Sequence, residues 1–427
     1  MAKDFDTMED SNRSANPTIH EIIHLNRRTL LSGAVAASLV SLMAPLTGCA
    51  ALPGTGSKLG FKGIPVGMGD KLVVPEGYVA TPIAAWGESV GVAGNMPAFK
   101  SDGSNSAAEQ AVQIGMHHDG LEYFPLNASS RSGLMAINHE YTDDGLLHVG
   151  GFNSMTAEKV KKSQNAHGLS VCEVMLKDGS WNMVRPSQYA RRFTMDTPFS
   201  VRGPAAGHAM MKTVADPAGT KILGTLNNCA SSQTPWGTYL SGEENWAFYF
   251  GAGDNLDAHQ RRWGLRKDSS YQWEKFDARF DVRQTPTEPN RFGWVVEVDP
   301  MDPTSTPVKR TALGRAAHEG AWVGVTKDGR AVVYSGEDAR FEYIYKFVSR
   351  DKIAPGGAGV SQARANRELL DHGILYVARF DADGTGKWLP LVQGVAPLTS
   401  ANGFADQGEV LIKARQASDL LKATKMD

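Results

Sequence analysis

Cysteine is scarce in this chain, with three among 427 residues, and neither sign of charge prevails. So few thiols cannot make the disulfide framework of a small secreted scaffold; one bridge is the most they allow. A formal net charge of −2 supplies no basic field, which argues against nucleic acid as a partner. Helical periodicity is weak outside 157–164 and the stretch around 414–421, so helices do not organise the fold. Several catalytic signatures are also missing. Neither His139-Glu140 nor His318-Glu319 has the helical His-Glu-x-x-His spacing of a zinc protease. No Gly-x-Ser-x-Gly elbow supports a serine hydrolase. The glycine-rich run at 203–207, with Pro204 and Ala205-Ala206, lacks the lysine and spacing of a phosphate-binding loop. The methionines are too scattered to suggest a copper site.

What is present is a turn-rich text. Apolar residues make up 41% and charged residues 21%, with Gly 45 and Pro 21, as in a folded protein of many short strands. Runs with two-residue alternation recur at 221–226, 294–300, 331–335, 343–348 and 374–380. Lys327-Asp328-Gly329-Arg330 and Asp381-Ala382-Asp383-Gly384 separate such runs at hairpin distances. These features predict an all-β domain, and a β-propeller rather than a sandwich. No strict period of about forty to fifty residues is visible, so the propeller is a divergent one. The stretches 104–113 and 252–287 read as polar insertions without alternation.

The first fifty residues read as an address, not as fold. Asn26-Arg27-Arg28-Thr29-Leu30-Leu31 is a twin-arginine pair leading into an apolar, small-residue run from Leu30 to Leu46. That is the pattern of a Tat signal peptide, too short and too poor in leucine to span a membrane comfortably. Leu46-Thr47-Gly48-Cys49 resembles a lipobox, so Cys49 is expected to be lipidated and to attach the protein to a membrane; simple cleavage nearby is the alternative. The expected division is a leader at 1–49, a linker at 50–60 and one domain at 61–427. The expected location is the periplasm or cell surface, with the Tat machinery as an export partner. In that oxidising setting Cys172 and Cys229 could pair. Cys172, however, lies in the strand-like run 168–176 and reads as a small buried hydrophobe.

Cys229 has no such pattern. It sits in Asn227-Asn228-Cys229-Ala230-Ser231-Ser232, a polar turn by its composition, and is followed by Glu243-Glu244-Asn245 at the end of a short apolar run. A thiol among Asn and Ser is poorly placed for packing, and so is a carboxylate pair at a strand end. Both make sense if a metal ion lies between them. Further polar clusters end other runs: His117-His118-Asp119-Gly120, Asn138-His139-Glu140-Tyr141, 203–208, His318-Glu319-Gly320 and Glu337-Asp338. Carboxylates at the same end of successive strands can converge on a propeller's channel. Calcium needs six to eight oxygens and so draws ligands from several strands, whereas a thiolate beside carboxylates suits iron or zinc. The set therefore points to mixed metals. His117 and His118 project to opposite sides of a strand, so at most one faces a site.

The order of these motifs resembles the PhoX-type alkaline phosphatases. The matching text is His118-Asp119-Gly120, Phe124-Pro125-Leu126, 138–141, 166–171, 203–208, Asn228-Cys229-Ala230, 234–238, Glu243-Glu244-Asn245 and Gly320 after His318-Glu319. The resemblance runs from about residue 60 to the end. It implies a six-bladed β-propeller that holds two ferric ions and several calcium ions and cleaves phosphomonoesters. It makes Cys229 an iron ligand and Glu319 a carboxylate of the iron–calcium cluster. Glu244, with Glu243 or Glu140 nearby, is then a candidate calcium ligand. In the family the position of Met426-Asp427 is followed by Arg-Pro-Glu, bearing a cluster glutamate and an arginine that faces phosphate. On that pattern this chain is the N-terminal portion of an incomplete propeller and could be inactive alone. The rival expectations are a lipid-anchored, non-catalytic calcium-binding propeller that docks a surface partner, or a calcium-only propeller enzyme of the phytase or lactonase kind.

Overall fold

A computed structural model describes residues 9–23, 61–356 and 359–426. The alternation seen in the sequence becomes three sheets. The first joins β1 (His118–Pro125), β2 (Ser132–His139), β3 (Gly168–Lys177) and β4 (Ser180–Met183) in that order, with β5 (Arg191–Phe193) also paired to β3. The second runs β7 (Lys221–Leu223), β6 (Pro198–Arg202), β11 (Val308–Arg310), β10 (Val295–Val298), β9 (Tyr239–Glu243), β8 (Asn228–Gln233). The third is the meander β12 (Trp322–Val325), β13 (Arg330–Gly336), β14 (Ile344–Lys352), β15 (Gly373–Phe380), β16 (Gly386–Pro390). Each sheet contains four consecutive antiparallel strands, which is the topology of a propeller blade. The parallel pair β6–β11 hangs two more strands on the second.

The middle sheet is covered on both faces, and its strand β10 is buried at every position. Tyr239 and Val296 pack with Phe124, Leu134 and Val171 of the first sheet. Leu240 and Val295 pack with Val333, Phe347 and Val377 of the third. Neighbouring residues of β9 and β10 thus serve opposite cores, as a pleat of period two requires. The Asp-Gly turns join β12 to β13 and β15 to β16 as the sequence predicts. Helix α1 (Ala157–Ala166) is capped by the Thr156 hydroxyl, which accepts from the Lys159 amide. Helices α2 (Gln407–Ile412) and α3 (Ala414–Leu420) place Leu411, Ala414 and Ala417 in the core of the third sheet.

Two sequence expectations change. The stretch 252–287 is not a polar insertion: it buries Trp263, Tyr271, Trp273, Phe280 and Val282 against Trp246, Tyr249 and Phe250. Tyr249 and Tyr271 stack with centroids 4.5 Å apart. Its aromatics are carried by single turns between loops, so no helix or strand period exposes them to a sequence reading. Residues 9–23, inside the segment read as lying outside the fold, pack on the body, where Glu9 meets Arg415 at 2.8 Å. The twin arginines, the apolar run to Leu46, Cys49, the linker and Asp427 lie outside the described residues. Among the described residues no helix is long and apolar enough to cross a membrane. Cys172 is buried in β3, its thiol pushed up to about 12 by burial, and neither it nor Cys229 is in a disulfide.

Candidate metal centre

Where the first and second sheets meet, both contributing strands lose register. The β1–β2 pairing slips between His118 and Leu121, and the β8–β9 pairing slips between Asn228 and Ser231. Such bulges re-aim a side chain that a regular strand would point elsewhere. Here they turn Asp119 and Cys229 toward each other, with the thiol Sγ 3.5 Å from the Asp119 carboxylate. The strands can approach because residue 120 is glycine: a Cβ there would lie 2.7 Å from the Cys229 carbonyl oxygen. Cys229 is therefore on a distorted strand and not in the polar turn its composition suggested.

Neighbouring amides fix this backbone. The Asn138 amide donates 2.6 Å to the Cys229 carbonyl and accepts 2.8 Å from the Tyr239 hydroxyl. Asn227, held at φ 48°, donates to the Tyr249 hydroxyl at 3.0 Å, and its side-chain oxygen accepts from the Asn245 amide at 2.7 Å. Its carbonyl accepts from the Glu244 amide, and the Glu140 amide donates to His117. Gly242 lets the 318–319 segment lie against β9, since a Cβ there would be 2.4 Å from the His318 carbonyl.

Five side chains converge as a result. Asp119, Glu140 and Cys229 have one ligand atom each within 4.8 Å of one another, and so do Cys229, Glu244 and Glu319. Cys229 belongs to both groups. Glu140, Cys229 and Glu244 are buried, while Asp119 and Glu319 are exposed, so the centre is open on one side. Burial pushes the Cys229 thiol far above the ordinary range, and Glu244, Glu140, Asp119 and Glu319 push it further. One thiol among four carboxylates is a repulsive set without a cation. With one, the same donors fit: a bound metal deprotonates a thiol, and hard and softer ligands side by side can hold unlike ions.

Of the residues singled out from sequence, the structure gathers Cys229, Glu140, Glu244 and Glu319. Glu243 does not join them. It is fully buried on the other side of β9, 2.7 Å from the Lys309 ammonium. It also accepts from the Thr225 hydroxyl and from the amides of Gly293 and Trp294. Its expected metal role fails on strand alternation: adjacent residues face opposite sides. Asp119 is the residue that sequence reasoning did not single out as a ligand; its motif was visible but the bulge that aims it was not. The histidines of the motifs serve the scaffold. His118 Nε2 lies 2.6 Å from the Ala84 carbonyl, His139 bonds Ser170, and His318 bonds Ser335 and Gly314. Glu337 pairs with Arg415 at 2.8 Å.

Comparison with known proteins follows the same outline. The family model described as "Alkaline phosphatase PhoX" matches residues 59–427. No curated protein matches. Among solved structures, Pseudomonas fluorescens PhoX in complex with vanadate, a transition state analogue, superposes with a TM-score of 0.81 at 47% identity. The match covers 86% of this chain and 64% of that one, so the chain spans less than two thirds of its solved relative's length. The chain belongs to the PhoX alkaline phosphatase family.

Proposed function

We propose that this chain is part of an exported, metal-dependent phosphomonoesterase, with iron and calcium as its ions. The observation that carries this reading is the position of Cys229, shared between one acidic group with Asp119 and Glu140 and another with Glu244 and Glu319. Family membership and a relative's complex with vanadate support phosphate as the substrate group. Cys229 with its flanking carboxylates would hold an iron-type ion, and the outer carboxylates would hold calcium. Ions bound there would polarise phosphoryl oxygens and favour an oxygen nucleophile near neutral pH.

The chain's own residues supply the frame. Asn138 and Asn227 hold the backbones that carry Cys229 and Glu244, so the donors are positioned before a metal arrives. Exposed Asp119 and Glu319 leave the centre accessible from solvent. Without cations, four carboxylates repel a phosphate dianion, so metal loading governs substrate binding as well as turnover. Export by the twin-arginine route and a lipid anchor at Cys49 complete the reading, resting on the leader pattern alone.

The test is a phosphomonoester assay with calcium, with and without chelator, coupled to elemental analysis of the exported protein. Chelator-sensitive turnover with iron present supports the proposal. Calcium without iron, and no turnover by a version carrying the full length of the family, would instead support the non-catalytic propeller.

A further inference from the structure

Residues 9–22 make contacts of a kind that a tethered tail does not need. Glu9 is buried, and its carboxylate accepts from Arg415 at 2.8 Å while its carbonyl accepts from the Arg340 amide. Gly264 makes room for it, since a Cβ there would fall 2.6 Å from the Glu9 Cγ. Asn12 donates to the Phe341 carbonyl at 2.8 Å and to the Tyr343 hydroxyl at 3.2 Å. Asn16 donates to the same hydroxyl at 3.2 Å and to the Asp419 carbonyl at 3.2 Å. Lys425 pairs with the segment through both backbone groups, donating to Pro17 and accepting from Ile19. Ile22 is buried at the end of the contact.

Two asparagine amides meeting on one tyrosine hydroxyl, with a carboxylate seated on a buried arginine, constitute recognition of a sequence. We propose that 262–264, 340–343 and 415–425 form a peptide-binding groove whose ligand is this chain's own segment 9–22. The occupied groove adjoins the candidate metal centre: Glu9, Glu244, Trp263 and Arg415 line one small cavity. Every groove element lies at least as far along the chain as Arg262, so only a chain folded through its last described residues can hold the segment. If the leader is cut away after the apolar run, the segment leaves with it. The Arg415 guanidinium, the Phe341 carbonyl and the Lys425 backbone then lose these partners. Docking is thus a property of the precursor, independent of which metal or substrate the centre takes.

Hydrogen exchange of the full chain tests this, read on the peptides that cover 9–23. Expected is exchange at least tenfold slower than in the same sequence as a free peptide. Asn12→Ala with Asn16→Ala should remove most of that protection, and Tyr343→Phe should do the same with exchange in β14 unchanged. All three substitutions together should release no more than either set, because both remove one interface. Exchange of the unaltered chain at free-peptide rates would overturn the proposal. So would protection that survives the asparagine pair, which lies outside the body and leaves its folding intact.

Discussion

The thiol of Cys229 faces the Asp119 carboxylate at 3.5 Å across two strands that both slip register where these residues lie. The contact joins two sheets at the point where each departs from regular pairing. Cys229→Ser should therefore leave the metal-free fold nearly as stable, since the change is small and the backbone is held by others. Iron content should fall by at least the 10–100-fold affinity loss, on the order of magnitude typical when only a supporting residue is removed. Elemental analysis of the purified variant beside the unaltered protein measures this; equal iron in both would exclude the thiol as a ligand.

Asn138 touches no metal in the proposed centre, yet it holds the Cys229 carbonyl. Asn138→Ala should weaken metal binding by roughly 10–100-fold through a loosened β8. A metal titration followed by isothermal calorimetry gives the comparison, and an unchanged affinity would make the amide merely structural.

Adjacent glutamates should behave oppositely. Glu243→Gln leaves Lys309 buried beside a neutral amide and should cost about 3–5 kcal/mol of stability, as when one partner of a buried pair is removed. Glu244→Gln should cost far less stability and weaken metal binding. Denaturant unfolding of metal-free protein, together with a metal titration, separates the two; a larger stability loss at Glu244 would reverse the assignment.

That contrast shows what the sequence could reveal. The strand at 343–348 was legible because it alternates cleanly between a core and an outer face, while 331–335 and 374–380 were legible as short apolar runs bounded by Asp-Gly turns. Cys229 and the Glu243-Glu244 pair were legible as chemistry misplaced for packing, whereas Glu140 and Glu319 stood in polar clusters whose ligand role came from the family resemblance. Glu243 and Glu244 could not be told apart, because only the partner strand decides which side of β9 holds Lys309. Asp119 was hidden for a related reason: a bulge is a relation between two strands, and neither strand's sequence marks it. The aromatic core at 252–287 has no period at all, so its polar spacers concealed it.

Asp144 supplies a prediction for pH. Burial raises its carboxyl from 3.8 to about 6, against the hydroxyls of Thr142 and Ser163, which donate to it. Nearby His148 is lowered to about 4 by burial and is neutral at pH 7. A carboxyl whose folded value is raised favours the folded state when protonated. That contribution is greatest at low pH and is lost as pH rises through about 6. Asp144→Asn keeps an acceptor for both hydroxyls and removes the charge. It should gain on the order of 1–3 kcal/mol over the unaltered chain at pH 7.5, with the gap closing by pH 4. Urea unfolding at both values checks the sign, and a gap that widens at pH 4 would contradict it.

Trp273 carries the packing of the 252–287 stretch, in contact with Tyr249, Tyr271 and Phe280. Trp273→Ala should cost about 3–5 kcal/mol. The neighbouring residue Tyr249 bonds Asn227, so metal affinity should fall as well. Thermal unfolding and the same metal titration would show whether the two losses are coupled.

The five donors of the centre come from separate elements: Asp119 from β1, Glu140 after β2, Cys229 from β8, Glu244 after β9 and Glu319 ahead of β12. No hairpin or single sheet can assemble them, so the site forms only when elements distant in sequence have packed together. Cations captured there would rivet three sheets that otherwise adhere through their apolar faces and hydrogen bonds such as that from Asn138 to Cys229. Resistance to being pulled apart, and not catalysis alone, would then depend on the ion supply where the chain folds.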